Sequence, residues 1–135
     1  TAGAGGDVID LDANAASNGA ATQVGFASGA LGNVGATVGF QAFSNNITVA
    51  DSDAGPTEAE IETYLGVNEV FQSGAATDQL YLAVDDGTNT YIIFAENNGA
   101  NKVFTAAEDD STTIVTLAGV SDATSLTAAN FADFL

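Results

Sequence analysis

The sequence predicts a mainly β domain, a β-sandwich or a β-roll-derived sheet, with two short helices at about 57–65 and 128–134. Its 135 residues fit a single domain, 1–135, and 46% of them are apolar, which is enough to form a core. The 15 glycines stand among abundant Thr, Val and Phe, a composition typical of short strands joined by tight turns. No window contains the roughly 18 consecutive apolar residues of a membrane helix, so we expect no membrane insertion.

The ionisable residues exclude most catalytic chemistry. The chain has 18 acidic residues, a single lysine (Lys102) and no Arg, His or Cys, giving a formal net charge of −17. Without His or Cys no Ser-His-Asp or Cys-His nucleophile forms, and one cation cannot neutralise a row of phosphates for nucleic-acid binding. Carboxylate, amide and carbonyl oxygens remain, which are the ligands that suit Ca²⁺. We therefore expect a non-enzymatic protein with Ca²⁺ as its cofactor, although a two-carboxylate hydrolase stays chemically allowed.

A glycine-rich turn occupies residues 1–13. Residues 2–10 fit the nonapeptide G-G-x-G-x-D-x-U-x at every fixed position except the first, where Ala2 stands. In this pattern the aspartate, here Asp7, contributes a carboxylate to a Ca²⁺ ion, and the following large apolar residue fills the interior. Asp7 and Asp10 are therefore candidate metal ligands. Without the repeat pattern, the same residues predict an ordinary turn that leads into a strand.

Residues 14–50 contain no charged side chain. Within them, 19–26 and 35–40 share a T-V-G-F core, with one inserted residue in the first copy, which predicts two successive short strands whose Val and Phe lie on one face. Such uncharged, Gly-rich strands specify their register weakly and can pair with another copy of the chain. Burial within the domain and contact between copies both explain so long a neutral stretch in an acidic protein.

The segment 51–62 is the second candidate metal site. Asp51, Asp53 and Glu62 stand at positions 1, 3 and 12, the spacing of an EF-hand loop. Pro56 replaces the turn glycine and no helix precedes the loop, so we reject a true EF-hand. Asp51 and Asp53 are retained as candidate ligands of Ca²⁺.

The same segment leads into a helix predicted over 57–65. Thr57 and Glu60 have the spacing of a capping box, which marks a helix start. The apolar residues recur at helical spacing, and Gly66 ends the pattern.

A hairpin and a further strand are predicted after the helix. The strands 79–84 and 90–95 flank the turn 85–89, whose Asp-Gly pair is a hairpin signal. Both strands are almost continuously apolar, which predicts central strands covered on both faces. Another strand is predicted over 112–120, and Thr127 is the expected N-cap of the terminal helix.

The C-terminal half carries three short motifs in a fixed order. They are L-A-V-D-D-G-T-N-T-Y-I at 82–92, V-T-L-A-G-V at 115–120 and S-L-T-A-A-N-F at 125–131. Together they resemble the C-terminal regions of RTX-type, type I-secreted bacterial proteins, which include surface-layer (S-layer) proteins and adhesins. The resemblance covers residues 78–135, and the nonapeptide at 2–10 supports it.

Membership of that family would imply a secreted protein, extracellular or on the bacterial cell surface, that folds on meeting Ca²⁺. It would also imply an uncleaved secretion signal within about 123–135. Only one nonapeptide is present, whereas a β-roll needs several stacked turns. The catalytic domains of some family members are absent from this sequence, so their activities do not transfer to it.

These observations predict an extracellular structural protein that self-assembles into a surface layer, filament or matrix ordered by Ca²⁺. Its partner would be a second copy of the chain. One alternative is an adhesin module that binds a ligand such as cell-surface polysaccharide, which exposure of Tyr81 or Tyr91 would favour and burial of both would oppose. Another alternative is the C-terminal secretion and calcium-folding domain of a larger exported enzyme.

Overall fold

Five strands form one mixed sheet in the computed structural model, which describes residues 9–11, 18, 25–35 and 37–131. The strands are β1 Gly25–Gly29, β2 Val38–Asn46, β3 Gln79–Asp85, β4 Asn89–Glu96 and β5 Asp110–Ala118. They lie in chain order across the sheet, with β1, β2 and β3 parallel and β4 and β5 each antiparallel to the preceding strand. The mainly β prediction is confirmed, and the described residues form a single sheet in place of two packed sheets.

The other elements of the described chain are short. Helix α1 spans Glu58–Leu65 and lies in the connection from β2 to β3. Two 3-10 turns span Ala123–Ser125 and Ala128–Asn130. Within the described ranges, every helix is too short or too polar to span a membrane.

The sheet buries both of its faces, because β3 and β4 are apolar at nearly every position. On one face, Leu82 shares the first core with Ile61 and Leu65 of α1. On the opposite face, Ala83 shares the second core with Phe131, from the C-terminal segment. Burial of one leucine side chain contributes about 2 kcal/mol to the free energy of folding. The prediction that the hairpin strands are central and covered on both faces is confirmed.

A β-bulge in β2 places Val38 and Phe40 on opposite faces of the sheet. The pairing with β1 shifts so that Gly25 lies opposite Val38 and Phe26 lies opposite Phe40, which leaves Gly39 as the extra residue. Val38 packs against the first core, and Phe40 lies in the second. The described parts of the two T-V-G-F stretches form neighbouring strands, as predicted. The expectation that Val and Phe share one face is wrong for the second stretch.

Helix α1 begins at the predicted capping box. The N–H of Thr57 donates to Oε2 of Glu60 at 2.8 Å, and the N–H of Glu60 donates to Oγ1 of Thr57 at 3.3 Å. Gly66, at a positive φ of 58°, ends the helix. The helix predicted over 57–65 is confirmed, with Thr57 as its N-cap.

The second predicted helix, at about 128–134, is a 3-10 turn in its described part. The N–H of Thr127 donates to Oδ1 of Asn130 at 2.7 Å, which closes the turn. Phe131 then adopts extended backbone and forms a parallel bridge with Ile9. Because a bridge requires extended backbone, the helix cannot continue through Phe131. The rest of the predicted helix lies outside the described residues.

The single lysine of the chain sits in a loop fixed by backbone pairing. The carbonyl of Lys102 accepts hydrogen bonds from the N–H groups of Val70 at 2.9 Å and Phe71 at 3.0 Å. Val103 forms an antiparallel bridge with Glu69. The Lys102 ammonium lies 3.7 Å from a Glu69 carboxylate oxygen, with the two side chains 45% and 47% exposed. Such an exposed ion pair adds little stability, so the backbone hydrogen bonds hold this loop.

Candidate functional site

Two acidic turns meet at one end of the sheet. The turn at 51–54 precedes α1, and the turn at 85–89 joins β3 to β4. Tyr91 connects them, because its hydroxyl donates to Oδ2 of Asp86 at 2.7 Å and lies 3.2 Å from the carbonyl oxygen of Ser52. The fold therefore brings together acidic turns that are distant in the sequence.

Asp86 is held in its ionised form at this end of the sheet. Burial by itself raises the pKa of this carboxyl group, but hydrogen bonds from the Asn89 N–H, the Tyr91 hydroxyl and the Thr88 N–H outweigh burial and lower the pKa. The two N–H groups donate to Oδ1 at 2.7 Å and 2.8 Å. Burial raises the pKa of Tyr91, and its hydrogen bond to Asp86 and the charges of Asp86 and Asp53 raise it further.

The predicted metal ligands Asp51 and Asp53 lie in the first of these turns, and both are exposed. Oδ1 of Asp51 accepts from the N–H groups of Asp53 at 3.1 Å and Ala54 at 3.4 Å, so Asp51 stabilises its own turn. Asp10 is also exposed, and Asp7 lies outside the described residues. Among the described residues, no three or more acidic side chains are grouped to hold a metal ion. The calcium sites stay a prediction.

Asp109 is a buried anchor, although its sequence context is that of an exposed acidic turn. It is 2% exposed. Its Oδ1 accepts from the N–H groups of Asn98 at 2.9 Å and Gly99 at 3.0 Å, and its Oδ2 accepts from the N–H of Thr105 at 2.8 Å. One carboxylate thus organises the loop between β4 and β5. The flanking Glu108 and Asp110 are both exposed, and no local sequence signal separates Asp109 from them.

A cleft with a volume of about 430 Å³ opens beside α1, and it is lined by Asn46, Thr48, Ala50, Glu60, Thr63 and Tyr64. The carboxylate of Glu60 accepts from the N–H groups of Thr57 at 2.8 Å and Ala50 at 2.6 Å, and these hydrogen bonds lower its pKa. The hydroxyl of Tyr64 donates to the carbonyl of Asn45 at 2.6 Å. The Glu60 carboxylate and the Tyr64 hydroxyl are therefore already hydrogen-bonded within the fold. The other polar side chains of the lining are the amide of Asn46 and the hydroxyls of Thr48 and Thr63.

Strand β5 is an open edge of the sheet within the described residues. No other strand of the described residues pairs with its outer side. The carboxylate of Glu58 accepts from the N–H of Ser111 at 3.3 Å, and the carbonyl of Leu117 accepts from the N–H of Val120 at 3.3 Å. The chain carries no charged side chain from 112 to 121. Ile114 is the extra residue of a β-bulge and is 44% exposed. This edge of the sheet therefore has backbone groups that no other described strand pairs with, no charged side chain and the exposed apolar side chain of Ile114.

The two tyrosines on which the adhesin alternative depends are buried. Tyr81 is 4% exposed and Tyr91 is fully buried. The ring of Tyr81 packs beside Phe94 with ring centroids 5.0 Å apart, and the hydroxyl of Tyr91 is engaged by Asp86. Because neither ring can stack on a sugar, their burial counts against the adhesin alternative.

Comparison with known proteins identifies no relative of this chain. No family model, no curated protein and no solved structure matches it. The resemblance to RTX-type proteins therefore rests on the sequence motifs alone.

Proposed function

We propose that this protein is an extracellular structural protein that assembles with copies of itself into a surface layer, filament or matrix, with Ca²⁺ ordering the assembly. The observation that carries the proposal is the uncharged outer side of β5, which no other strand of the described residues pairs with, in a chain whose net charge is −17. Sheet proteins usually block a free edge with charged residues, proline or a β-bulge. The run 112–121 contains no charged residue and no proline, and the one such device in it is the bulge at Ile114.

The net charge of the chain makes the proposed assembly depend on the cation concentration. Copies with a net charge of −17 repel one another when cations are scarce, which keeps the open edge from pairing. Salt at 0.15 M limits this repulsion to a range of about 8 Å. A divalent cation bound between carboxylates of two copies would lower it further. Assembly is then suppressed at low cation concentration and favoured outside the cell.

The acidic turns supply oxygen ligands for such cations. The exposed Asp51 and Asp53 lie in the turn beside Asp86, and Asp7 and Asp10 are proposed as a further pair. Ca²⁺ takes about six to eight oxygen ligands. A turn that offers about two or three carboxylate ligands therefore needs water or a second copy of the chain to complete the coordination shell of the ion. Ligation between copies would link calcium binding to assembly.

Electron microscopy and light scattering of the purified protein, with and without Ca²⁺, test this proposal. We expect monomers in the presence of a chelator and ordered layers or filaments in millimolar Ca²⁺. Mg²⁺ at the same concentration is the control for simple charge screening. A protein that stays monomeric at every Ca²⁺ concentration would contradict the proposal, and equal assembly in Mg²⁺ would remove the specific role of Ca²⁺.

A ligand-binding module is the second candidate function, and the cleft beside α1 favours it. Its volume of about 430 Å³ lies in the range of small-molecule sites. Hydroxyl and amide groups in the lining suit a neutral sugar better than an anion, because the charged residue of the lining is Glu60. NMR titration with neutral monosaccharides should shift the signals of Thr48 and Thr63 if this candidate is correct. Unchanged signals at high millimolar sugar would reject it.

The third possibility, a C-terminal domain of a larger exported enzyme, stays a prediction.

A further inference from the structure

We propose that the outer edge of β5 joins two copies of the chain by antiparallel pairing about a two-fold axis at Thr116. This inference rests on the proposed self-assembly and names one contact between copies within it. The product is a continuous sheet with the five strands of each copy side by side. Two-fold contacts of this kind use the same surface on both partners and are the commonest form of self-association.

The backbone of β5 offers the groups that such pairing needs. At the start of the strand, the carboxylate of Glu58 occupies the N–H of Ser111. The bulge at Ile114 ends the regular first part of the strand, so the segment proposed to pair runs from the bulge residue to the end of the strand, Ile114–Ala118. In the described part of the chain no other strand pairs with this outer side. An edge of this kind is a template for another strand.

The side chains of β5 favour one register. With the axis at Thr116, Val115 lies opposite Leu117 of the second copy, on the face of the second core. Both side chains are only partly buried and pack against that core within one copy. Opposite side chains in antiparallel strands lie about 5 Å apart, so the two apolar pairs cover each other. A slip by one residue would place Val115 beside Thr116 and lose both pairs.

Ile114 is the side chain of β5 whose exposed apolar surface the proposed contact would bury most. It is 44% exposed, and among the described residues its only counterpart as an exposed large apolar side chain is Val67. In the proposed register Ile114 lies opposite Ala118 of the second copy, where the small side chain leaves room for it. Pairing therefore removes from water the apolar surface that the bulge exposes.

The charges at the two ends of the pairing segment make this contact depend on cations. The pairing segment is neutral, but Asp110 precedes it and Asp122 follows it. Antiparallel pairing brings the Asp110 end of each copy to the end of the other strand, beyond which its Asp122 lies. Like charges then approach at both ends, so the contact needs cations, as the proposed assembly does.

The contact is weak when it occurs alone. A standard protein interface buries about 1,600 Å², and one short strand pair buries less. Its strength in an assembly comes from repetition, because a copy already held by other contacts pairs at high effective concentration. We therefore expect pairing inside assemblies and little stable dimer in dilute solution.

Cysteine cross-linking tests the geometry, because the chain has no cysteine of its own. Thr116→Cys places a single thiol on the proposed axis, and Thr63→Cys places one on the exposed side of α1 as a control. In Ca²⁺ under oxidising conditions, we expect disulfide dimers of Thr116→Cys to form about tenfold faster than those of Thr63→Cys, since a disulfide needs closely spaced Cβ atoms. A chelator should abolish the difference.

A pair of lysine substitutions tests the edge independently. Ile114→Lys and Val67→Lys change the charge equally at exposed apolar positions, but only Ile114 lies on β5. Lysine is a residue that blocks edge pairing. We expect Ile114→Lys to lose Ca²⁺-dependent assembly and Val67→Lys to retain it, with circular dichroism checking that both variants fold. If Ile114→Lys does not fold, the cross-linking comparison decides the question.

The outcomes separate this inference from the proposed function. Assembly of folded Ile114→Lys, or equal cross-linking rates at Thr116 and Thr63, would overturn the β5 contact while self-assembly stands. Failure of the unmodified chain to assemble in Ca²⁺ would overturn the proposed function and the contact with it.

Discussion

The turn at 51–54 and the loop around Asp109 use the same residue type in opposite ways. Asp51 and Asp53 are exposed, and the hydrogen bonds to Asp51 come from its own turn. Asp109 is 2% exposed and accepts three N–H groups, which belong to Asn98, Gly99 and Thr105. The first turn keeps its carboxylates in water, whereas the fold fills the hydrogen-bonding capacity of Asp109.

This difference shows that acidity alone does not mark a cation site. A buried carboxylate is stable only where hydrogen bonds replace its water. An exposed carboxylate keeps its water and can exchange it for Ca²⁺. Stability of the fold and response to Ca²⁺ should therefore depend on different aspartates, and the following variants test that separation.

Replacement of Asp109 should have the largest effect on stability. Asp109→Ala leaves three N–H groups of the loop without their acceptor, so the free energy of unfolding should fall by about 3 kcal/mol. Urea denaturation in chelator measures the loss. The matched control is the exposed neighbour in Asp110→Ala, for which we expect a change within about 0.5 kcal/mol. Equal losses in the two variants would show that Asp109 is not the anchor.

Removal of the helix cap should have an intermediate effect. Thr57→Ala removes Oγ1, which accepts from the N–H of Glu60, and should cost about 1 kcal/mol of unfolding free energy. The control, Thr63→Ala, lies on the exposed side of α1 and substitutes a better helix former, so stability should be unchanged or slightly higher. Thermal unfolding of both variants measures the difference. A Thr57→Ala variant as stable as the original chain would contradict the role of the cap.

Acid should weaken the contribution of Asp86. Its folded-state pKa is lowered, so its stabilising effect is complete above the unfolded-state pKa of about 4 and is lost as the pH falls through the folded-state pKa. We expect Asp86→Asn to be less stable than the original chain near neutral pH, with the two stability curves converging in acid. Urea unfolding from about pH 2 to pH 7 measures both curves.

The comparison with Asp86→Asn includes its own internal control. Protonation of the many other acids also lowers the net charge, and this effect is common to both proteins, so the difference between curves isolates Asp86. Tyr91→Phe removes one hydrogen bond to Asp86 and should give a curve between the two. Parallel curves over the whole range would exclude a contribution of Asp86 to the pH dependence.

The smallest effect on stability should come from the proposed calcium turn. The double variant Asp51→Asn and Asp53→Asn should change the unfolding free energy in chelator by about 0.5 kcal/mol or less, because both side chains are exposed. In Ca²⁺ the rise in melting temperature should be reduced. A double variant with Glu108→Gln and Asp110→Asn removes the same charge and should keep that rise. Equal reductions in the two variants would assign the effect to net charge.

The elements that the sequence predicted are those that local interactions determine. The spacing of Thr57 and Glu60 predicts the start of α1, and the turn at 85–89 between apolar runs predicts the hairpin. The bulge at Gly39 escapes such prediction, because it depends on pairing with β1. It reverses the faces of Val38 and Phe40, which an unbroken alternation would place together.

Contacts between distant segments account for what the sequence did not predict. Phe131 is extended because it pairs with Ile9, so a plausible helix pattern gives way to a short turn. Asp109 and Asp110 are equivalent in local sequence, and only the loop that wraps Asp109 separates them. For the candidate site, the spacing of Asp51 and Asp53 predicts a metal-binding turn, but the approach of the 85–89 turn depends on the contacts of Tyr91 with Ser52 and Asp86.

The backbone pairing around Lys102 also affects how readily proteases cleave the folded chain. Enzymes that cut after lysine or arginine find one such bond in this sequence, between Lys102 and Val103. The Lys102 carbonyl is held by two N–H groups and Val103 pairs with Glu69, whereas cleavage needs this stretch released and extended. Digestion must therefore wait until the loop opens. The rate of cleavage therefore measures how often this loop opens, and the intact fold protects the peptide bond between Lys102 and Val103 from trypsin.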